Sequence, residues 1–122
     1  MYEFLSLDRC AAYVAARAAL IAVQQVADGW PETLADRARR EAIETMQVTA
    51  EATAHGHATA GRRRCLRDAL TSAIGLAASV DVARAMGFGH ADLDDAQRTA
   101  GRTVALLGMF LHANTAALSE AR

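Results

Sequence analysis

The chain has 122 residues, which is the usual size of a single domain. Apolar residues make up 52% of it and aromatic residues only 5%, while 13 basic and 14 acidic side chains leave a formal net charge of −1. The pI of about 6.4 argues against the strong overall basicity, a pI above about 9, that is typical of nucleic-acid-binding domains, although it allows a local basic patch.

The cysteines and the alanine-rich N-terminal region bear on location. Cys10 and Cys65 form neither a CxxC pair nor a disulfide framework, which indicates a reducing compartment. The apolar run over residues 10–26 has Arg17 at its centre and two glutamines near its end, so we predict neither a transmembrane helix nor a signal peptide. We therefore expect a soluble cytoplasmic protein that has no membrane contact.

Three clusters of helix-breaking residues divide the sequence. In the first, Gly29 suits the position just after a helix end and Pro31 suits the first turn of the next helix. The second cluster lies at 55–57, and in the third Gly87 again suits a helix end. These breaks predict helices at about 6–28, 31–56, 60–86 and 91–120, with no strand. Similar helix lengths and short loops predict one all-α domain over residues 1–122, an antiparallel up-down-up-down four-helix bundle.

Apolar residues at intervals of three and four predict a core stripe on each helix. In chain order the predicted stripes are Leu7, Ala11, Val14, Ala18 and Ile21; then Leu34, Ala38, Ala42, Met46 and Thr49; then Leu66, Ala69, Ala73, Leu76, Val80 and Ala83; and finally Leu93, Ala96, Ala100, Val104, Leu107, Leu111 and Leu118.

Further apolar residues lie outside these stripes on the first and fourth helices. One interpretation is a wide core face on closely packed helices. We favour the other, an interface between copies of the chain, because surplus apolar surface on a small soluble protein usually marks a contact site. The predicted interface residues are Tyr13, Leu20, Val23, Leu106, Met109 and Phe110.

Several short motifs near the breaks match a known bacterial family. They are Trp30-Pro31 (an aromatic-proline step), Ala54-His55-Gly56 and Met86-Gly87 (helix ends), Ala69-Leu70-Thr71-Ser72-Ala73 (early in the third helix) and Leu106-Leu107-Gly108-Met109-Phe110 (in the fourth). Through them the chain resembles the large-subunit rRNA intervening-sequence proteins from about Leu7 to Phe110. It departs from that family at 49–53, which lack its proline and asparagine, and at Gly75 and Ala77, where the family has acidic residues.

The resemblance implies a four-helix bundle that assembles into a homo-oligomeric ring, a pentamer, without catalytic residues. The family is similar to the accessory variability determinant of diversity-generating retroelements, a ring of bundles that acts on nucleic acid through basic surface. Both a self-assembling role and a nucleic-acid-binding role are therefore expectations for this chain.

Two arginine clusters are the candidate phosphate-binding groups, because guanidinium binds phosphate through paired hydrogen bonds. The first, Arg37, Arg39 and Arg40, lies among acidic residues, so ion pairs such as Asp36 with Arg40 are the alternative interpretation there. A solvated helix face is the alternative for the second cluster also. The predicted nucleic-acid patch is this second cluster, Arg62, Arg63, Arg64 and Arg67.

No motif indicates catalysis, a metal or a cofactor. The sequence has neither a glycine-rich phosphate loop nor the Glu-x-x-His motifs of di-iron bundles. Topology brings several cysteines and histidines to one end of the bundle, but their spacing matches no structural zinc site, and we interpret them as small buried cysteines and solvated loop histidines. These residues are Cys10, His55, His57, Cys65 and His112. We predict a non-enzymatic scaffold or binding module, with an RNA-binding accessory protein as the alternative.

Glycines inside the predicted helices need a compensating interaction. Gly75, Gly101 and Gly108 each cost about 1 kcal/mol relative to alanine in a helix interior. We expect the compensation to be a close approach, either between the third and fourth helices or across a subunit boundary.

Overall fold

Four α-helices make up most of the computed structural model, which describes residues 7–88 and 91–120. They are α1 (Ala11–Val26), α2 (Glu32–Ala54), α3 (Ala60–Ala85) and α4 (Ala91–Glu120), and no strand occurs over the described ranges. The predicted helices are confirmed. Their bounds differ most for α1, because Leu7–Arg9 and Ala27–Gly29 form 3-10 turns on either side of it.

The four helices pack in a square arrangement in which each helix contacts two neighbours. α1 packs against α2 and α4, and α3 packs against the same two helices. Because successive helices are adjacent and joined by short connections, they run antiparallel. The predicted all-α four-helix bundle is confirmed.

Local chemistry explains where the helices begin and end. Trp30 is extended (φ −88°, ψ 161°), as expected for a residue before proline, and α2 starts just after Pro31. The hydroxyl of Thr59 accepts a hydrogen bond from the backbone N–H of Arg62 at 3.2 Å and so caps α3. Gly87 follows α3 with φ +98°, a left-handed conformation that favours glycine.

Asn114 on α4 fastens the connection between α2 and α3. Its side chain is 2% exposed, and its Oδ1 accepts a hydrogen bond from the backbone N–H of Ala58 at 3.0 Å. Its Nδ2 donates to the carbonyl of Thr59 at 3.3 Å. Ala58 itself has φ +58°, which is unfavourable for a non-glycine residue, so these bonds hold the chain in a strained conformation. The start of α3 is thereby positioned against α4.

The core consists mainly of alanine and small polar residues. Buried threonines satisfy their hydroxyls within their own helices; Thr49, for example, donates to the carbonyl of Thr45 at 2.6 Å. The larger buried apolar residues of the described chain are few: Val23, Val26, Trp30, Leu66, Leu76, Val80, Leu93 and Leu107. The helix interfaces are therefore made of short side chains.

The predicted core stripe of α3 is confirmed, since all six of its residues are buried. On α2, Ala38, Ala42 and Thr49 are buried, whereas Leu34 and Met46 are half-buried. On α4 the predicted stripe divides in the same way. Leu93, Ala96, Ala100 and Leu107 are buried, and Val104, Leu111 and Leu118 are half-buried.

The predicted core stripe of α1 is wrong. Val14 is 48% exposed and Ile21 is 45% exposed, while Ala11 also faces outward. Val23, which was predicted to lie in an interface, is fully buried. Both faces of α1 have helical spacing, and the face with the smaller side chains packs inward because it allows closer approach to α2 and α4. Its buried residues are Ala12, Ala15, Ala16, Ala19, Ala22, Val23 and Val26.

Gly75 makes the expected close approach, but to α2 instead of α4. A Cβ at this position would overlap the carboxylate of Glu41 on α2. That carboxylate is 16% exposed, and its Oε1 accepts a hydrogen bond from the Ser79 hydroxyl at 2.7 Å. Apart from the backbone of α4 itself, no described atom lies within 4 Å of a Cβ placed at Gly101 or Gly108. The predicted close approach between α3 and α4 is therefore wrong for both glycines.

Alanine substitutions at the two kinds of glycine should have different effects. We expect Gly108→Ala to raise the free energy of unfolding by about 0.5–1 kcal/mol, because alanine is the better helix former. Gly75→Ala should raise the free energy of unfolding by less than this, or lower it, because the new methyl group displaces the Glu41 carboxylate. The buried Ser79 hydroxyl then loses its hydrogen-bond partner, and such a loss costs about 1–3 kcal/mol. Urea unfolding followed by circular dichroism measures both changes.

Repeating the two substitutions in a Glu41→Ala variant distinguishes the effect of helix propensity from the effect of the contact with Glu41. In a Glu41→Ala chain, Gly75→Ala should stabilise by about as much as Gly108→Ala does, because nothing remains to be displaced. An equal gain from the two substitutions with Glu41 present would contradict the close contact.

Candidate functional site

Four arginines lie in the first two turns of α3. Arg64 and Arg67 are exposed, Arg62 and Arg63 are half-buried, and none makes an ion pair with a carboxylate in the described part of the chain. Because successive helical residues turn by about 100°, the side chains do not share one direction. Arg64 and Arg67 are on the exposed side of α3, Arg63 is half-buried at its edge, and Arg62 lines a cavity at the end of the bundle. The four arginines of the predicted nucleic-acid patch therefore do not form one continuous surface, because Arg62 points into the cavity.

The first arginine cluster is largely neutralised. Arg39 forms an ion pair with Asp28 at 2.6 Å and a hydrogen bond with Gln24 at 2.9 Å, which joins α2 to the end of α1. Arg37 lies 3.8 Å from Glu41. The ion-paired interpretation is confirmed for these two arginines. However, Asp36 pairs with Arg39 at 3.8 Å, not with Arg40 as predicted.

The two ends of the bundle differ in charge. Arginines without ion pairs to described carboxylates gather where α1 and α3 begin: Arg9, Arg62, Arg63, Arg64 and Arg67. At the other end, carboxylates are concentrated where α4 begins, and Arg84 of α3 pairs with Asp94 there. All 13 basic residues of the sequence are arginine, so every basic group is a planar guanidinium that can bind phosphate through paired hydrogen bonds.

The predicted interface residues occupy different environments. Tyr13 and Leu20 are half-buried on α1, and Leu20 packs against the core. Leu106 and Phe110 are half-buried and pack against the core near the arginine-rich end. Met109 is 63% exposed. Of the six predicted interface residues, Met109 is therefore the one whose side chain is mostly exposed to solvent.

The exposed stripe of α1 adds large apolar residues that were predicted to lie in the core. Val14 and Ile21 are seven residues apart and share the outer side of the helix with Arg17. A groove of about 370 Å³ runs between α1 and α4, with Val14 on one wall and Arg102 on the other. Met109 lies seven residues beyond Arg102 on the same side of α4. We call this surface the α1–α4 face; it comprises Val14, Arg17, Ala18, Ile21, Arg102 and Met109.

The opposite side of the bundle carries exposed charges of both signs, because Arg40 and Arg64 lie four residues before Glu44 and Asp68 on the same sides of α2 and α3. Glu44 and Glu51 of α2 and Asp68 of α3 are exposed, and none of them pairs with a described arginine. On α3 the apolar side chains of Val82 and Met86 are 46% and 54% exposed. Helical phase places these residues on the outer side of the α2–α3 seam. We call this surface the α2–α3 face; it comprises Glu44, Glu51, Asp68, Val82 and Met86.

The cysteines and histidines do not come together as a metal site. No group of three or more His, Cys, Asp or Glu side chains is placed to hold a metal ion among residues 7–88 and 91–120. Cys10 and Cys65 are free thiols and half-buried, while His55, His57 and His112 are exposed. No described helix is long and apolar enough to span a membrane.

Comparison with known proteins identifies no relative. No family model matches the sequence, and no curated protein is similar to it. The resemblance to the rRNA intervening-sequence proteins therefore stays a prediction, and the proposals for function rest on the geometry of the surfaces.

Burial raises the pKa of the Cys65 thiol, and the charges of Glu51 and Asp68 raise it further, while Arg64 lowers it. In a Cys10→Ser chain, we expect the rate of alkylation by iodoacetamide to rise with pH around a midpoint higher than that of the same chain unfolded in urea. The reason is that thiolate is the reactive form and burial disfavours it. A folded-state midpoint equal to or below the unfolded one would contradict this environment.

Proposed function

We propose that the chain is a non-enzymatic, self-assembling four-helix bundle that acts as a homo-oligomeric scaffold or binding module. One observation carries the proposal: the core is filled with alanine, while several of the larger apolar side chains lie on the surface. Among them are Val14, Ile21 and Met109 on the α1–α4 face and Val82 and Met86 on the α2–α3 face.

The energetics favour association. Burial stabilises by roughly 25 cal/mol per Å² of apolar surface, so an alanine contributes much less than the roughly 1.5–3 kcal/mol of a fully buried valine, isoleucine or methionine. Folding of a single bundle therefore leaves apolar surface exposed, and burying that surface between copies would be favourable. Contact between copies would bury the exposed halves of these large side chains, and the charges that lie among them, such as Arg17 between Val14 and Ile21, need partners across the contact.

Charge indicates which faces meet. A symmetric contact between two α1–α4 faces would bring Arg17 of one copy towards Arg17 of the other, which is unfavourable. The α2–α3 face offers the carboxylates of Glu44, Glu51 and Asp68 as partners, with Arg40 and Arg64 beside them, together with its own exposed apolar residues. We infer a heterologous contact, in which the α1–α4 face of one copy packs on the α2–α3 face of the next. Such contacts produce rings when the rotation closes, and the family resemblance implies a pentamer.

Light scattering of apolar variants tests the assembly. We expect the wild-type chain to have the mass of an oligomer and the double variant Val14→Ser, Ile21→Ser to be largely monomeric, because it removes the apolar contact of the α1–α4 face. Ile74→Ser is the matched control, since Ile74 is 52% exposed but lies on neither face. A monomeric wild-type protein would refute the proposal, and equal dissociation by the control would refute the assignment of the face.

Charge reversal tests the pairing of the two faces. Arg17→Glu with Arg102→Glu should dissociate the oligomer, and so should Glu44→Arg with Asp68→Arg. Mixing the two variant chains should restore association between unlike chains, because a basic face of one then meets an acidic face of the other. The two chains must alternate, so the mixed assembly is expected to contain an even number of copies and to differ in mass from a wild-type pentamer. If mixing restores nothing, the contact is not between these faces.

Nucleic-acid binding is the second candidate. Three arginines of α3 favour it, because Arg64 and Arg67 are exposed, Arg63 is partly exposed, and none forms an ion pair with a described carboxylate. A ring would repeat them in every copy. We expect binding of single-stranded RNA, followed by fluorescence anisotropy, to weaken with salt. Changing all three arginines to alanine should reduce the slope of log K against log salt by about 0.7 for each phosphate that the protein no longer neutralises.

Arg40 supplies the control for the nucleic-acid experiment. It is exposed and unpaired among the described residues but lies in the first cluster, so Arg40→Ala should leave both the affinity and the salt slope close to the wild-type values. Binding that does not depend on salt, or no binding at about 50 mM salt, would exclude this role.

A further inference from the structure

An open cavity lies at the arginine-rich end of the bundle, next to the groove between α1 and α4, with which it shares Arg9 and Ala11. Its volume of about 380 Å³ lies within the range of about 300–1,000 Å³ that is typical of small-molecule pockets. Residues that belong to or flank all four helices line it: Arg9, Cys10, Ala11, Thr53, Arg62 and Phe110.

The polar lining of this cavity is cationic. Two of the described residues that line it are arginines and none of these is acidic, although Asp8 lines the adjoining groove together with Arg9. Arg9 makes no hydrogen bond or ion pair with another described residue, and Arg62 uses Nη1 of its side chain for one bond, to the carbonyl of His55 at 3.3 Å. A guanidinium has five N–H donors, so nearly all of the donors of both arginines are available to a ligand.

The remaining lining residues define what else a ligand needs. The Thr53 hydroxyl donates to the carbonyl of Ala50 at 2.6 Å, so it offers a ligand only its lone pairs. Phe110, Cys10 and Ala11 form an apolar wall, and Phe110 is half-buried, with part of its side chain accessible. The cavity therefore combines a strong anion-binding region with a small apolar surface that includes an aromatic ring.

We propose that this cavity binds a small phosphate monoester that carries an aromatic or aliphatic group. Two guanidinium charges match a phosphate monoester, which carries about −1.5 to −2 at pH 7, better than a carboxylate with a single charge. The phosphate lies between Arg9 and Arg62, and the organic group packs on Phe110. The site borders the α1–α4 face through Arg9 and Ala11 but is built from residues of one chain, and it differs from the patch formed by Arg63, Arg64 and Arg67.

Isothermal titration calorimetry with phenyl phosphate tests the site. We expect saturable binding of one ligand per chain, weaker binding of benzoate and of inorganic phosphate, and no binding of phenol. Arg9→Gln and Arg62→Gln should each weaken phenyl phosphate binding at least about tenfold, because each removes a charge-assisted hydrogen bond. Affinity should also fall from pH 7 to pH 5, as the phosphate loses its second charge with a pKa near 6.

Two variants distinguish the cavity from general electrostatic attraction. Arg64→Gln removes an exposed arginine two residues from Arg62 that does not line the cavity, so it should change affinity less than about twofold. Phe110→Leu should weaken phenyl phosphate but not inorganic phosphate, because only the former has a ring to pack on residue 110. Melting and light scattering of each variant confirm that fold and oligomer mass are unchanged.

The outcomes separate clearly. An equal loss of binding in Arg64→Gln would show that diffuse charge attracts the ligand and would overturn the proposal. Absence of saturable phenyl phosphate binding to the wild-type chain at millimolar concentration would overturn it as well. Retention of binding in a monomeric variant with Val14→Ser and Ile21→Ser would show that the cavity is complete within one chain, whatever the outcome for self-assembly.

Discussion

Close packing of alanine-rich helices is the constraint on which the rest of the structure depends. Ala19 of α1, Ala38 of α2, Ala73 of α3 and Ala100 of α4 are fully buried, so the helices meet through side chains of a single carbon. Short side chains bring helices close and create many weak contacts, but they remove little apolar surface from water. Each bundle is therefore well packed and still has hydrophobic surface available for further burial.

Polar groups fit this narrow interior only where the helices supply room and partners. The Glu41 carboxylate lies between α2 and α3 because Gly75 has no side chain there and Ser79 donates a hydrogen bond to it. Asn114 uses both ends of its amide to hold the connection that precedes α3. Both groups tie one helix to its neighbour at a fixed register, which alanine contacts alone define poorly. Asn114 also positions the first turn of α3, where the arginine cluster begins.

The surfaces divide the chemistry of the molecule into three regions. The α1–α4 face is apolar and carries Arg17 and Arg102. The α2–α3 face opposite it is apolar and carries carboxylates as well as arginines. The end where α1 and α3 begin has most of the arginines without ion pairs to described carboxylates. This division allows the proposed self-assembly to use the sides of the bundle while ligand binding uses its end. A ring built in this way would leave the arginine-rich ends of all copies accessible.

The sequence alone determined the helices, their order and the core of α3, because the breaks around Gly29, Pro31 and Gly87 and the spacing of the larger apolar residues are local signals. It did not determine which side of α1 faces inward. Arg17, between Val14 and Ile21 on the same side, was the available indication that this side meets solvent. Only the tertiary structure decided the orientation, because an alanine face and a valine-isoleucine face share the same period and differ in how closely they let neighbouring helices approach. For the same reason, the contact of Gly75 with Glu41 and the meeting of Arg9, Arg62 and Phe110 around one cavity depend on the packing of separate helices, which no local pattern encodes.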